Sequence, residues 1–414
     1  MKHLRSKALA AAAMLSVSLT GCGTGAGISF GRSGKTEELT KGVVAFGLDK
    51  KEPDTAFLQG QTAFALSLMQ HAAAERAGRN ILLSPYSLMQ VLALTANGAA
   101  GETRAEMEQV LGGLPVSDLN GGLYAQQADA RKSVLKTANS VWYRSTGNLS
   151  VKKDFLKTAV GYYDAEVYQA PFDESTRNDI NSWCKEKTDG MIPDFLSDIS
   201  SNAAMYLFNA AAFDAEWKEP FEDPSSGSFT AAGGRTESVS VMESTEGIYL
   251  EDAHASGFVK PYQNGYSFAA ILPEEGLTPE DYLAMQTPES FRTLLTDVTY
   301  ADVGIRMPQF SLTDKTELSG ILQDMGMKKA FDDADFSEMA DADNLYIGEV
   351  MQKTFIDVNT KGTKAAAVTE VEVDSAAPPQ PEYYVELNRP FIYMIVDSET
   401  MLPVFTGILN AVNG

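Results

Sequence analysis

The sequence predicts an α+β fold, and three observations carry that expectation. Helical periodicity dominates from residue 55 to 187, strand-like runs punctuated by Gly and Pro dominate from 206 onward, and neither an internal repeat nor a clean interdomain linker separates them. With 44% hydrophobic and 21% charged residues among 414, the composition is that of a globular chain. A formal net charge of −23 argues against nucleic acid as a partner, because phosphate binding needs basic patches.

The first 21 residues stand outside this fold. Lys2, Arg5 and Lys7 precede an apolar run, Ala8 to Leu19, that is too short to span a bilayer and reads as a signal peptide. Leu19-Thr20-Gly21-Cys22 resembles the lipobox of bacterial lipoproteins, which implies cleavage before Cys22 and lipid on its sulfur. Ordinary secretion with Cys22 incidental is the alternative. Several acyl chains would hold the protein firmly at the cell surface, its only contact with membrane. Residues 22–52, rich in Gly, Ser and charge, read as a flexible tether, and 53–414 as the folded domain. That domain holds one cysteine, Cys184, so it has no internal disulfide.

Within the domain, residues 55–77 carry helical spacing, and Asn80 to Pro85 form a short strand with Pro at the next helix start. Residues 86–97 are apolar all round and so belong to a buried helix. Thr103 to Leu111 is a helix stopped by Gly112-Gly113. Val134 to Arg144 reads as a strand, and 151–163 and 178–187 as helices. Strands are expected at 206–213, 238–242, 268–272, 303–310, 345–358, 391–396 and 404–410, with helices near 279–296 and 314–326.

Residues 359–381 are unlike the rest. In an extended chain, Thr363, Ala365, Ala367, Thr369, Val371, Val373 and Ser375 fall on one small, largely apolar face. Lys364, Ala366, Val368, Glu370, Glu372 and Asp374 fall on the other. This is the pattern of a half-buried strand of 13 residues, against a usual length of about 5–6. Pro378, Pro379 and Pro381 then forbid sheet pairing. An ordinary long strand or a charged surface linker would also account for the alternation. The small residues at its start, however, would pass between existing strands without steric resistance, and Gly362 permits the backbone to reorient.

Six stretches in one order resemble the serpin family. Gly362 to Thr369 is similar to its hinge, a Gly-Thr pair opening a run of small residues (Ala365, Ala366, Ala367), and Asn388-Arg389-Pro390-Phe391 to the segment after its reactive loop. Asn80 to Leu111 carries Asn-x-x-Leu-Ser-Pro-x-Ser and then Gly-Ala-x-Gly-x-Thr. Ile180-Asn181-x-Trp183 with Thr188-x-Gly190-x-Ile192, Asn209 to Phe221 with Trp217, and Met307-Pro308-x-Phe310 complete the set. The resemblance implies three β-sheets, eight to nine helices and an exposed reactive-centre loop at about 359–381. It implies an irreversible suicide-substrate inhibitor rather than an enzyme. A serine protease attacks the loop, an acyl-enzyme forms, and the cleaved hinge inserts as a new central strand that traps the covalent complex. A non-inhibitory surface binding protein on the same fold is the alternative.

Family spacing places the scissile bond at Ala376–Ala377, with Asp374 and Ser375 as second choices; counting back from Pro390 allows up to about three residues further on. Small residues there imply an elastase-like or subtilisin-like target, and no Lys or Arg lies between Lys364 and Arg389 to suit a trypsin-like one. Ser84, Ser87, Asn209 and Gln352 match the family's shutter, with Gln352 where many members carry His. Thr360-Lys361 and Lys364 depart from the usual glutamates of the hinge. The folded domain holds only His71 and His254, without a nucleophile motif, and no metal-spaced His/Cys cluster or phosphate loop. Asp332-Asp333-Ala334-Asp335 reads as a solvated loop rather than a calcium site, and 116–133 lacks the basic cluster a polyanion activator needs. No cofactor or metal is expected, and the protein is expected to act as a monomer outside the cell.

Overall fold

The structure, a computed structural model, describes residues 36–127, 134–145, 149–199, 203–342, 344–363 and 380–413. Nine helices and three sheets, of eight, nine and two strands, lie among them. Helix Thr55–Glu75 starts where Asp54 accepts a hydrogen bond from the Phe57 amide. Helix Pro85–Asn97 starts with Ser84 as its cap and Pro85 in the first turn, and Pro85 to Ala96 are all buried. That helix packs on strands Leu135–Arg144 and Met205–Phe213 of the eight-stranded sheet and on Pro403–Leu409 of the nine-stranded one, so the core lies between the two sheets around it.

In the eight-stranded sheet the order is Glu37–Glu38, Glu166–Ala170, Leu135–Arg144, Met205–Phe213, Glu349–Val358, with Phe310–Glu317 on the outer side of the last. The nine-stranded sheet runs Tyr383–Glu386, Thr299–Pro308, Thr236–Glu251, Ala255–Pro261, Tyr266–Pro273, Phe391–Asp397, Pro403–Leu409, Ile81–Leu83, with Ser225–Thr230 also paired to Thr236–Glu251. A second cluster, with Trp142, Tyr168, Phe172, Trp183 and Phe208 buried, fills the space under helix Glu174–Lys187 on the sheet's outer face.

Three stretches differ from the sequence reading. Residues 314–326 were expected as helix, but Phe310–Glu317 is a strand and only Ser319–Asp324 is helical. Its burial alternates, Thr313 and Thr316 are β-branched, and it pairs with Glu349–Val358 from Met351 to Val358. Val116–Gln127 is a helix the pattern hid behind Gly121 and Gly122, and both glycines are contact points: a Cβ there would stand 2.7 Å from the Lys51 Cβ or 2.3 Å from the Phe57 ring. The stretch read as tether, 22–52, is docked from residue 36 on. Glu37–Glu38 extend the sheet edge against Tyr168–Gln169, Thr36 Oγ1 donates to Asp179 (2.6 Å), and Lys51 pairs with Asp118 (2.9 Å). Composition suggested a free chain there; Leu39, Val43, Ala45 and Leu48 supply the anchors that composition averages away. No helix among the described residues is long and apolar enough to cross a membrane.

Candidate functional site

Strands Met205–Phe213 and Glu349–Val358 lie side by side and parallel, from Glu349 opposite Tyr206 to Phe355 opposite Ala212. Both have antiparallel partners on their other sides, Leu135–Arg144 and Phe310–Glu317. The parallel seam between them is the weaker kind of pairing. Three residues beyond its last pair the seam opens, and the chain itself fills the mouth: Thr363 sits between Val358 and Ala215, pairing antiparallel with each. The chain reaches that position through a tight turn at 359–361, in which the Asn359 amide donates to the Gly362 carbonyl (2.9 Å).

Trp217 and Phe221 hold this turn. The Trp217 amide donates to Lys361 O (2.9 Å), its ring Nε1 to Asn359 O (2.8 Å), and the Phe221 amide to Thr360 O (2.9 Å). Trp217 stacks on Tyr262 at 4.2 Å between ring centres, and the Tyr262 hydroxyl shares a 2.6 Å hydrogen bond with the Thr363 hydroxyl. Burial pushes the Tyr262 phenol above its ordinary range, partly offset by that bond, so it stays a neutral hydroxyl. Gly362 is required here for room, because a Cβ would stand 2.2 Å from Ala215 O. Lys361 and Thr360, odd for a hinge, make their contacts with backbone atoms, to which side-chain identity matters little.

Below the seam the buried polar residues join in one chain. Gln352 Nε2 donates to Asn209 Oδ1 (2.6 Å) and to Ser84 O (3.0 Å), while its Oε1 accepts from the Ser84 amide (2.9 Å). Asn209 Nδ2 donates to Ser87 Oγ and to Asn139 Oδ1 (2.7 Å), and Asn139 Nδ2 donates to Gln90 Oε1 (3.0 Å). Ser84 Oγ reaches Val404 O (2.8 Å) in the other sheet. Ser84, Ser87, Asn209 and Gln352 are thus brought together, and sequence reasoning missed Asn139 and Gln90. Of these contacts, Gln352 to Asn209 crosses the seam directly. Buried groups of this kind are costly when unpaired, so the network favours the closed sheet.

Of the hinge residues, Gly362 and Thr363 are placed as above. Ala365, Ala366 and Ala367, the bond at Ala376–Ala377, the second choices Asp374 and Ser375, and Cys22 lie outside the described residues. Cys184 lies on the buried face of helix Glu174–Lys187, and burial pushes its thiol up to about 12 against the opposing pull of the Lys353 ammonium. At pH 8 only about one molecule in 10,000 would then carry the reactive thiolate. Cys184 is therefore expected to resist a thiol reagent in the folded chain and to react fully in guanidinium; rapid labelling of the folded protein at Cys184, mapped by mass spectrometry, contradicts this placement.

The profile of a family described as "Serpin (serine protease inhibitor)" matches residues 59–411. An uncharacterized serpin-like protein of Thermococcus kodakarensis is 32% identical over 79% of this chain and 80% of its own. Human plasminogen activator inhibitor 2 is 29% identical over 84% of this chain and 97% of its own. The crystal structure of the thermophilic serpin tengpin in its native state matches with a TM-score of 0.87 at 39% identity, covering 91% of this chain and 100% of that one. Its latent-state structure matches less closely, at 0.74 with 38% identity, 87% of this chain and 98% of that one.

Proposed function

Because this chain belongs to the serpin family, whose members are mostly protease inhibitors, we propose that it is an irreversible suicide-substrate inhibitor of elastase-like or subtilisin-like serine proteases. The observation that carries this reading is Thr363, already seated between Val358 and Ala215 at the mouth of the parallel seam. If the inserted loop keeps that register, Ala365 would lie opposite Ile356, Ala367 opposite Thr354, Thr369 between Gln352 and Asn209, and Val371 opposite Val350. All four partners on Glu349–Val358 are buried, so an inserted loop in this register would turn the small, apolar face of residues 363–375 inward. Sequence alternation and strand register agree without sharing an assumption.

Insertion exchanges one parallel ladder for two antiparallel ones, with hydrogen bonds contributing about 0.5–1.5 kcal/mol each. It is the strand-addition mode for which serpins are the known example. Neighbouring strands stand about 4.8 Å apart, so parting them breaks the Gln352–Asn209 bond. The Thr369 hydroxyl arrives in the gap with one donor and two acceptors to replace it. From Thr363 to Ala376 an extended chain runs about 40 Å, enough to carry an acyl-linked protease to the opposite end of the sheet. The uncut protein is a kinetically held state. In this reading the leader 1–21 is removed, Cys22 carries the lipid, and the domain works as a monomer at the outer surface of a bacterial cell.

Mixing with subtilisin or elastase is expected to give a complex that survives boiling in SDS, and chain nicked near Ala376 is expected to melt tens of degrees above intact chain. A cut band alone, with an unchanged melting temperature, would leave a non-inhibitory binding protein as the better reading.

A further inference from the structure

A buried ion pair lies between the two ends of the reactive loop. Lys260, on strand Ala255–Pro261, is 1% exposed, and its Nζ stands 2.6 Å from Glu246 Oε1, itself buried on Thr236–Glu251. Ser244 Oγ also donates to that oxygen (2.6 Å). The same ammonium sits 4.2 Å from the centre of the Phe221 ring and 5.6 Å from that of Trp217, the two residues whose backbone and ring hold the turn at 359–361.

Glu246 is linked to the other stem through the sheet. It is opposite Val303, beside the irregularity in strand Thr299–Pro308, and Val303 is opposite Tyr383. Tyr383 opens the strand that resumes after the loop, and it stacks on Tyr249 of the Glu246 strand at 4.1 Å. Lys260 therefore belongs to the anchor of residues 359–363, and Glu246 to the anchor of residues 383–386.

Two apolar side chains of similar volume would fill this space at no loss of stability, since a buried ion pair does little better than its hydrophobic replacement. What an ion pair adds is a fixed geometry, and the cation adds directional attraction to the aromatic faces. Resting on the inhibitor reading above, we propose that Lys260 and Glu246 form a cross-brace that sets the spacing and rigidity of the two loop stems. Lys260 is thus a positioning residue for inhibition: it acts on the hinge through Trp217 and Phe221. A rigid stem keeps the uncut hinge from sampling the seam early, and directs it in one register once the loop is cut.

The double variant Lys260→Met/Glu246→Leu tests this without leaving a lone buried charge, which threatens folding in either single variant. Hydrogen exchange in the intact domain, read by mass spectrometry over 359–363 and 383–386, is expected to quicken about tenfold or more while exchange in helix Pro85–Asn97 is unchanged. With subtilisin as the probe, several times more inhibitor should be consumed per protease trapped, and Lys260→Arg, which keeps the cation, should recover most of the loss. If stem exchange in the double variant matches wild type, the pair is only filling and the brace is overturned. Were the wild type to trap no protease at all, the inhibitor reading would fall, and stem exchange would still decide for or against the brace.

Discussion

Thr369→Arg is expected to turn the inhibitor into an ordinary substrate. In the inserted state proposed above, residue 369 would come between Gln352 and Asn209, both fully enclosed and bonded to Ser84 and Ser87. An arginine there would bury an unpaired charge at a cost of several kcal/mol. Every 1.4 kcal/mol is a factor of ten in rate, so insertion that must outrun deacylation should lose at least about 100-fold. The SDS-resistant complex should vanish while the cut band forms at the wild-type rate. Thr369→Ser, which keeps the hydroxyl, should trap nearly as well as wild type. Undiminished complex with the arginine variant would mean that residue 369 never enters the seam.

Asn209→Ala should have the next largest effect, on the lifetime of the uncut protein. The side chain is a three-way node that donates to Ser87 and Asn139 and accepts from Gln352 across the seam. Removing it takes one hydrogen bond from each of three buried groups, a loss of roughly 3–5 kcal/mol. Thermal unfolding should begin well below the wild-type temperature, and incubation without protease should steadily convert the chain to an inactive, heat-resistant form. Asn139→Ala supplies the contrast. It breaks bonds to Gln90 and Asn209 on one side of the seam only, so it should lower the unfolding temperature without speeding conversion. Equal conversion rates in the two variants would show that the bond across the seam has no special part in keeping it closed.

What was legible in the sequence depended on how far apart the interacting residues lie. The buried helix expected at 86–97 and found at Pro85–Asn97 was plain from its largely apolar run, a local property of the sequence. Asn139 and Gln90 were passed over, although each carried a signal. Asn139 stands in a strand run where Asn is disfavoured, and Gln90 interrupts an apolar helix, so each had to find a buried partner. Which partner was not readable, since the two are 49 positions apart and meet only when helix and sheet are packed. The helix at 116–127 was hidden by glycines whose purpose is room for Lys51 and Phe57, a tertiary reason that no propensity expresses. Residues 310–317 went the other way. The local pattern at 314–317 reads as helical, and eight successive pairings of Phe310–Glu317 with Glu349–Val358 decide otherwise.

The chain beyond Tyr383 contributes Phe391–Asp397 and Pro403–Leu409 to the middle of the nine-stranded sheet, flanked by Tyr266–Pro273 and Ile81–Leu83. Its last residues are pinned as well, the Val412 and Asn413 amides donating to the buried Glu237 carboxylate (2.8 and 2.9 Å). A scission in the loop therefore yields two polypeptides but one particle. Nothing is shed that could act as a released peptide, and gel filtration should return a single peak where denaturing electrophoresis shows two pieces.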